Sequence, residues 1–117
     1  MAYLRHYVNG SVVSLYEVKD KVVIGRHPDC NITIDDPTIS SEHAVLVVSG
    51  VNSQIKDNGS TNGVRVDGEK SLEATLEPGM RFSIGTHEFE YLLEIPNDLD
   101  KTLKIKKSWI PGVYFTE

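Results

Sequence analysis

Two-residue turn signals set between short apolar alternations constrain this chain more than anything else in it. Asn9-Gly10 and Asp67-Gly68 each lie between such runs, and Ser49-Gly50, Pro78-Gly79 and Gly85-Thr86 punctuate the rest. Asn-Gly and Asp-Gly close hairpins because both central residues must take positive φ, a conformation these residues accept at least cost. The runs between them read as short strands: Tyr3 to Val8, Val12 to Val18, Val22 to Gly25, Ile32 to Ile34, Ala44 to Val48, Asn52 to Lys56, Val64 to Val66, a weak one at Leu72 to Leu76, Met80 to Ile84, and His87 to Leu93. Ala44 to Val48 is nearly all apolar and is therefore expected to be buried on both faces. No stretch sustains helical periodicity, and about ten strands spaced roughly 8–12 residues apart point to an all-β sandwich of antiparallel sheets.

Length and composition bound the rest. A chain of 117 residues suits one domain, since single cores commonly organise roughly 100–150 residues. Hydrophobic residues make up 39% and charged residues 25%, an ordinary globular balance. No apolar run approaches the ~20 residues of a spanning helix, and the first residues lack the apolar core of a signal peptide. The single cysteine, Cys30, allows neither an internal disulfide nor a multi-thiolate metal site and suits a reducing compartment. A soluble, cytoplasmic protein with no membrane partner, metal or cofactor is the expectation.

Charge is uneven. The net charge is -5, but residues 1–100 carry 8 Lys/Arg against 16 Asp/Glu, while residues 101–117 carry 4 Lys against one Glu. An acidic body argues against nucleic acid, whose binders present a basic face. Any anion bound here must be captured by placed donors.

Polar residues gather in three inter-strand segments, Arg26 to Asn31, Asp35 to His43 and Asp57 to Gly63. Loops of a sandwich cluster at its ends, so separate segments can converge on one ligand. Taken singly they are ordinary: Arg26 reads as a charge at a strand end, and Ser40 and Thr61 as turn-capping hydroxyls. Their order is what distinguishes them. Gly25-Arg26, then Ser40-x-x-His43, then Ser60-Thr61-Asn62-Gly63 occur within a frame of Val22-Val23-Ile24, Ile32-Thr33-Ile34, His43-Ala44-Val45-Leu46 and Leu76-Glu77-Pro78-Gly79-Met80. The set resembles the forkhead-associated (FHA) domain over roughly residues 3–95.

That resemblance implies an FHA-like (SMAD/FHA-type) β-sandwich of about eleven antiparallel strands with a C-terminal extension, divided into residues 1–96 and a tail, 97–117. It implies a phosphothreonine-dependent interaction module in Ser/Thr kinase signalling, whose partner is a phosphothreonine-containing protein or peptide, the kinase or its substrate. Carried over by position, Arg26, Ser40, Ser41, Thr61 and Asn62 match phosphopeptide-binding residues, and Gly25, His43 and Gly63 match residues that support the site. The chemistry agrees, because a phosphothreonine brings close to two negative charges and three acceptor oxygens. Arg26 offers a permanent forked cation, Ser40 and Thr61 offer hydroxyls, and Asn62 can donate to a peptide carbonyl. Many family members place Arg after the motif serine. Here Ser41 stands there, leaving Arg26 as the only motif cation.

Two other classes compete. Ser40, His43 and Asp57 could be drawn as a hydrolase triad, but no Gly-x-Ser-x-Gly elbow, EF-hand, Walker or zinc spacing is present, so an enzyme is not expected. A phosphate-independent interaction or self-association module on the same fold is the nearer alternative. Past Pro96 the resemblance ends. The apolar group Trp109, Ile110, Val113, Tyr114 and Phe115 is expected to fold back over an edge or face, or else to bind a partner. Thr102, preceded by Asp98 and Asp100 and followed at its third position by Ile105, is a candidate phosphoacceptor.

Overall fold

The computed structural model describes residues 2–96 and the backbone of residues 105–107. Twelve strands are described: β1 (Ala2–Val8), β2 (Ser11–Val18), β3 (Lys21–Gly25), β4 (Ile32–Thr33), β5 (Ala44–Ser49), β6 (Asn52–Asp57), β7 (Val64–Val66), β8 (Glu69–Ser71), β9 (Glu73–Leu76), β10 (Arg81–Ile84), β11 (His87–Leu92) and β12 (Ile105–Lys107). They form a seven-stranded sheet in the order β12-β2-β1-β11-β10-β7-β8 and a five-stranded sheet in the order β4-β3-β5-β6-β9. This is the all-β sandwich expected, with no helix among the described residues.

The turn chemistry sets the register. Asn9 and Gly10 take φ of 52° and 81°, so Val8 pairs with Ser11 across a two-residue turn. Asp67 and Gly68 do the same at φ of 51° and 87°, which pairs Val66 with Glu69 and makes β8. Most pairings are antiparallel, but β4 runs parallel to β3 and β12 runs parallel to β2, so the sandwich is mixed rather than wholly antiparallel. The inward faces supply one core, including Leu4, Val22, Ile24, Ile32, Leu46, Ile55, Phe82, Phe89 and Tyr91. Phe82 and Phe89 stack with ring centroids 5.2 Å apart.

One burial expectation is corrected. In β5, Ala44 and Leu46 are fully buried while Val47 is 37% exposed, because the strand presents only one face to the opposite sheet. Its apolar outer residues instead pair across the sheet with β3 and β6. Of the tail, β12 lies along the outer edge of β2, with Ile105 beside Leu15. Edge strands expose unpaired backbone groups, and this pairing occupies those of β2. Thr102 and the group from Trp109 to Phe115 lie outside the described residues.

Candidate functional site

The three polar segments become the β3–β4, β4–β5 and β6–β7 loops, and they meet at one end of the five-stranded sheet. Gly25 begins the junction. A Cβ there would stand 2.2 Å from the backbone oxygen of Ser41, so only glycine lets β3 pass this close to the β4–β5 loop. The approach is then sealed by hydrogen bonds: the Arg26 amide donates to the Ser40 carbonyl at 3.0 Å, and the His27 amide to the Ser41 carbonyl at 3.1 Å.

His43 joins the other two loops. Its ring is fully buried. The Ser40 amide donates to Nδ1 at 3.0 Å, and Nε2 lies 2.7 Å from the Gly63 carbonyl. An amide can only donate and a carbonyl can only accept, so the imidazole is the neutral Nε2–H tautomer with both nitrogens occupied. No nitrogen remains to activate the Ser40 hydroxyl. Asp57 accepts the Ser60 amide through Oδ1 at 2.9 Å and makes no hydrogen bond to His43 among the described residues. The imagined triad is not assembled.

The β6–β7 loop holds itself in shape before it meets its neighbours. Ser60 Oγ accepts the Gly63 amide at 2.8 Å, and Gly63 takes a φ of 81°, a turn that favours glycine. The Thr61 amide then donates to Ser40 Oγ at 3.1 Å. Ser40 is thus bonded to the backbone of both Arg26 and Thr61, and its hydroxyl, having accepted once, still has its own hydrogen to give. Asn62 Nδ2 donates to the Thr38 carbonyl at 2.7 Å, which leaves its second N–H and its Oδ1.

The side chains of Arg26, Ser41 and Thr61 are exposed and make no hydrogen bond or ion pair among the described residues. A shallow depression that includes Ser41 is lined by His27, Asp29, Ser40, Ser41, Glu42, Asn58 and Gly59. Burial pushes the Cys30 thiol up, and the Glu42 and Asp29 carboxylates raise it further. Arg26 is the one cation among the residues matched to the binding positions.

The structure therefore brings Arg26, Ser40, Ser41, Thr61 and Asn62 to one sandwich end, with Gly25, His43 and Gly63 beneath them. Asn58 was missed by sequence reading. Its amide donates to the His43 carbonyl at 3.0 Å and its side chain to the Glu42 carbonyl at 3.2 Å, closing the β6–β7 loop onto the end of the β4–β5 loop. An Asn after a strand-ending Asp is only a generic turn signal, so nothing in the sequence singles it out.

Comparison with known proteins agrees with this arrangement. The FHA domain family model matches residues 22–85. The chain is 37% identical over 92 residues to the transcriptional regulatory protein EmbR of Mycobacterium tuberculosis, covering 78% of this chain and 23% of EmbR. It is 40% identical over 68 residues to the glycogen accumulation regulator GarA of Mycolicibacterium smegmatis, covering 58% of this chain and 43% of GarA. The chain thus spans less than half the length of either relative. Among solved structures, M. tuberculosis EmbR in complex with a low-affinity phosphopeptide superposes with a TM-score of 0.70 at 33% identity, over 82% of this chain and 25% of that one. The FHA domain of the CT664 protein from Chlamydia trachomatis superposes with a TM-score of 0.73 at 24% identity, over 80% of this chain and 98% of that one, a likeness of fold. With the family match spanning residues 22–85 and the three loops joined through Ser40 and His43, the chain belongs to the FHA domain family.

Proposed function

We propose that this chain is a phosphothreonine-dependent protein interaction module, a non-enzymatic cytoplasmic adaptor in Ser/Thr kinase signalling. Arg26, Ser40, Ser41 and Thr61 receive the phosphate, and Asn62 holds the backbone of the phosphopeptide. Gly25, His43 and Gly63 support them from below. One observation carries the reading: Ser40 is bonded to the backbone of Arg26 on one side and of Thr61 on the other, while the donors of all three side chains are still to be satisfied.

The magnitudes suit a modest site. Four charge-assisted hydrogen bonds at about 1.5–3 kcal/mol each give ~6–12 kcal/mol gross, before ordering and association costs. A micromolar Kd, corresponding to roughly 8 kcal/mol, falls within that range. EmbR, the relative bound to a phosphopeptide in its solved structure, supports the ligand class.

The rival reading is an interaction or self-association module that ignores phosphate. Titrating a phosphothreonine peptide and its unphosphorylated twin into wild type and Arg26→Ala separates them. Binding only of the phosphorylated peptide, weakened at least tenfold by Arg26→Ala, is expected. Equal affinity for the twins, or no loss in the variant, would overturn the phosphate-dependent reading.

A further inference from the structure

The β4–β5 loop is anchored to the opposite sheet as well as to its own. Asp36, near its start, meets His87 at the start of β11: His87 Nε2 lies 2.9 Å from Asp36 Oδ2. The other nitrogen of that ring, Nδ1, lies 2.8 Å from Nε2 of His6 on β1. Both rings are buried, with His6 6% and His87 9% exposed, and the His6 ring stacks on Phe89 at a centroid distance of 4.5 Å.

The chain of contacts continues outward. Asp36 Oδ1 accepts both the amide and the hydroxyl of Thr38, each at 2.8 Å. The Thr38 carbonyl accepts Asn62 Nδ2 at 2.7 Å. A continuous hydrogen-bonded path therefore runs from the core face of β1, through two imidazoles and one carboxylate, to an amide matched to a peptide-binding position. Its polarity is set from the outer end. An ionised carboxylate only accepts, so His87 Nε2 carries a hydrogen and donates it to Asp36.

Packing alone does not account for two imidazoles here. Ring nitrogens in an apolar core are costly unless each is satisfied, and aliphatic residues would fill the space without that demand. What the pair adds is a fixed hold on one loop carboxylate and, through Thr38, on the orientation of Asn62. We propose that His87 is a positioning residue of the recognition loops, acting through Asp36 and Thr38 on Asn62, with His6 packed against its second ring nitrogen. The effect on ligand rests on the phosphopeptide reading above; the hold on Asn62 does not.

Two measurements keep these apart. The Asn62 side-chain amide and Thr38 backbone amide are followed by NMR in the ligand-free protein, and a phosphothreonine peptide is titrated by calorimetry, for wild type, His87→Leu, His87→Gln and Asp36→Asn. His87→Leu is expected to shift or broaden both resonances and to weaken peptide binding about tenfold, within the range of coupling through a packed network. His87→Gln keeps an N–H donor toward Asp36 and is expected to recover most of both effects. Adding Asp36→Asn to His87→Leu is expected to cost less than twofold more, because both remove one path.

If His87→Leu only lowers Tm, leaving the two resonances and the affinity as in wild type, His87 is a packing residue and the proposal is wrong. If His87→Leu does not fold, Asp36→Asn tests the path from its other end by the same readouts. If wild type binds no phosphopeptide but the resonances move with Leu and return with Gln, the positioning role stands and the phosphopeptide reading falls.

Discussion

Nε2 of His43 lies 2.7 Å from the carbonyl of Gly63, 20 residues further along the chain. With the Ser40 amide on the other nitrogen, this ring fastens the β4–β5 loop to the β6–β7 loop with no contribution from a ligand. Replacing His43 with Ala strands the half-buried Ser40 amide and the buried Gly63 carbonyl, and a buried group costs about 1–3 kcal/mol when unpaired. Urea unfolding of His43→Ala is expected to show a loss of about 2–4 kcal/mol, and phosphopeptide binding should weaken with it. A loss below about 0.5 kcal/mol, ordinary for a surface change, would contradict the bridging role.

Ser41 stands where many family members carry arginine, and its side chain is exposed. Ser41→Arg places a second fork-shaped cation beside Arg26 without disturbing the buried frame. Phosphopeptide affinity measured by calorimetry is expected to rise about three- to tenfold, with a Tm within a degree or two of wild type. The gain should shrink as salt is added.

Asp29 and Glu42 are among the residues that line the same depression, and their carboxylates would repel a dianionic phosphate held there. Asp29→Asn with Glu42→Gln is expected to tighten phosphopeptide binding about two- to fivefold at low ionic strength and to converge on wild type near 1 M salt, where the Debye length is about 3 Å. Unchanged affinity at low salt would place both carboxylates out of range of the ligand.

The Asp36 carboxyl is held well below its ordinary range, at about 2, first by the Thr38 amide, then by His87 and the Thr38 hydroxyl. A carboxyl whose folded pKa lies below its unfolded value of 3.8 contributes stability that is present above that value. That contribution is lost as pH falls toward about 2. Urea midpoints between pH 5 and pH 2 are expected to fall less steeply in Asp36→Asn than in wild type. Parallel slopes would mean the carboxyl gains nothing on folding.

The strand pattern was legible because local chemistry carries it. Asn9-Gly10 and Asp67-Gly68 set hairpins from the residues themselves, and the motif loops appear in the expected order. What escaped has physical reasons. β8 is Glu69-Lys70-Ser71, too polar to announce itself, and exists because the Asp67-Gly68 turn feeds it back along β7. β5 looks buried on both faces because its apolar outer residues meet cross-strand neighbours rather than a second layer. Ile32 to Ile34 was read as a strand, but the parallel direction of β4, like the whole of β12, depends on pairing that no local signal specifies. His6, His87 and Asp36 come together across 81 and 51 residues of chain, a separation at which one sequence gives no cue to contact.

The site residues divide along the same line. Arg26, Ser40, Thr61 and Asn62 could be picked out because they sit in ordered motifs. The hydrogen bonds that fasten them run mostly through backbone amides and carbonyls, which every residue possesses and no sequence marks.

Ser41 shows what that division permits. Its carbonyl accepts the His27 amide and the Cys30 thiol, both at 3.1 Å, and fills the space against Gly25, while its side chain remains exposed. Frame and chemistry at this position are separable. Evolution can therefore exchange the side chain, neutral for cationic, while the loops keep their shape. Under the proposed function position 41 is a dial on affinity for a dianion, and serine sets it low.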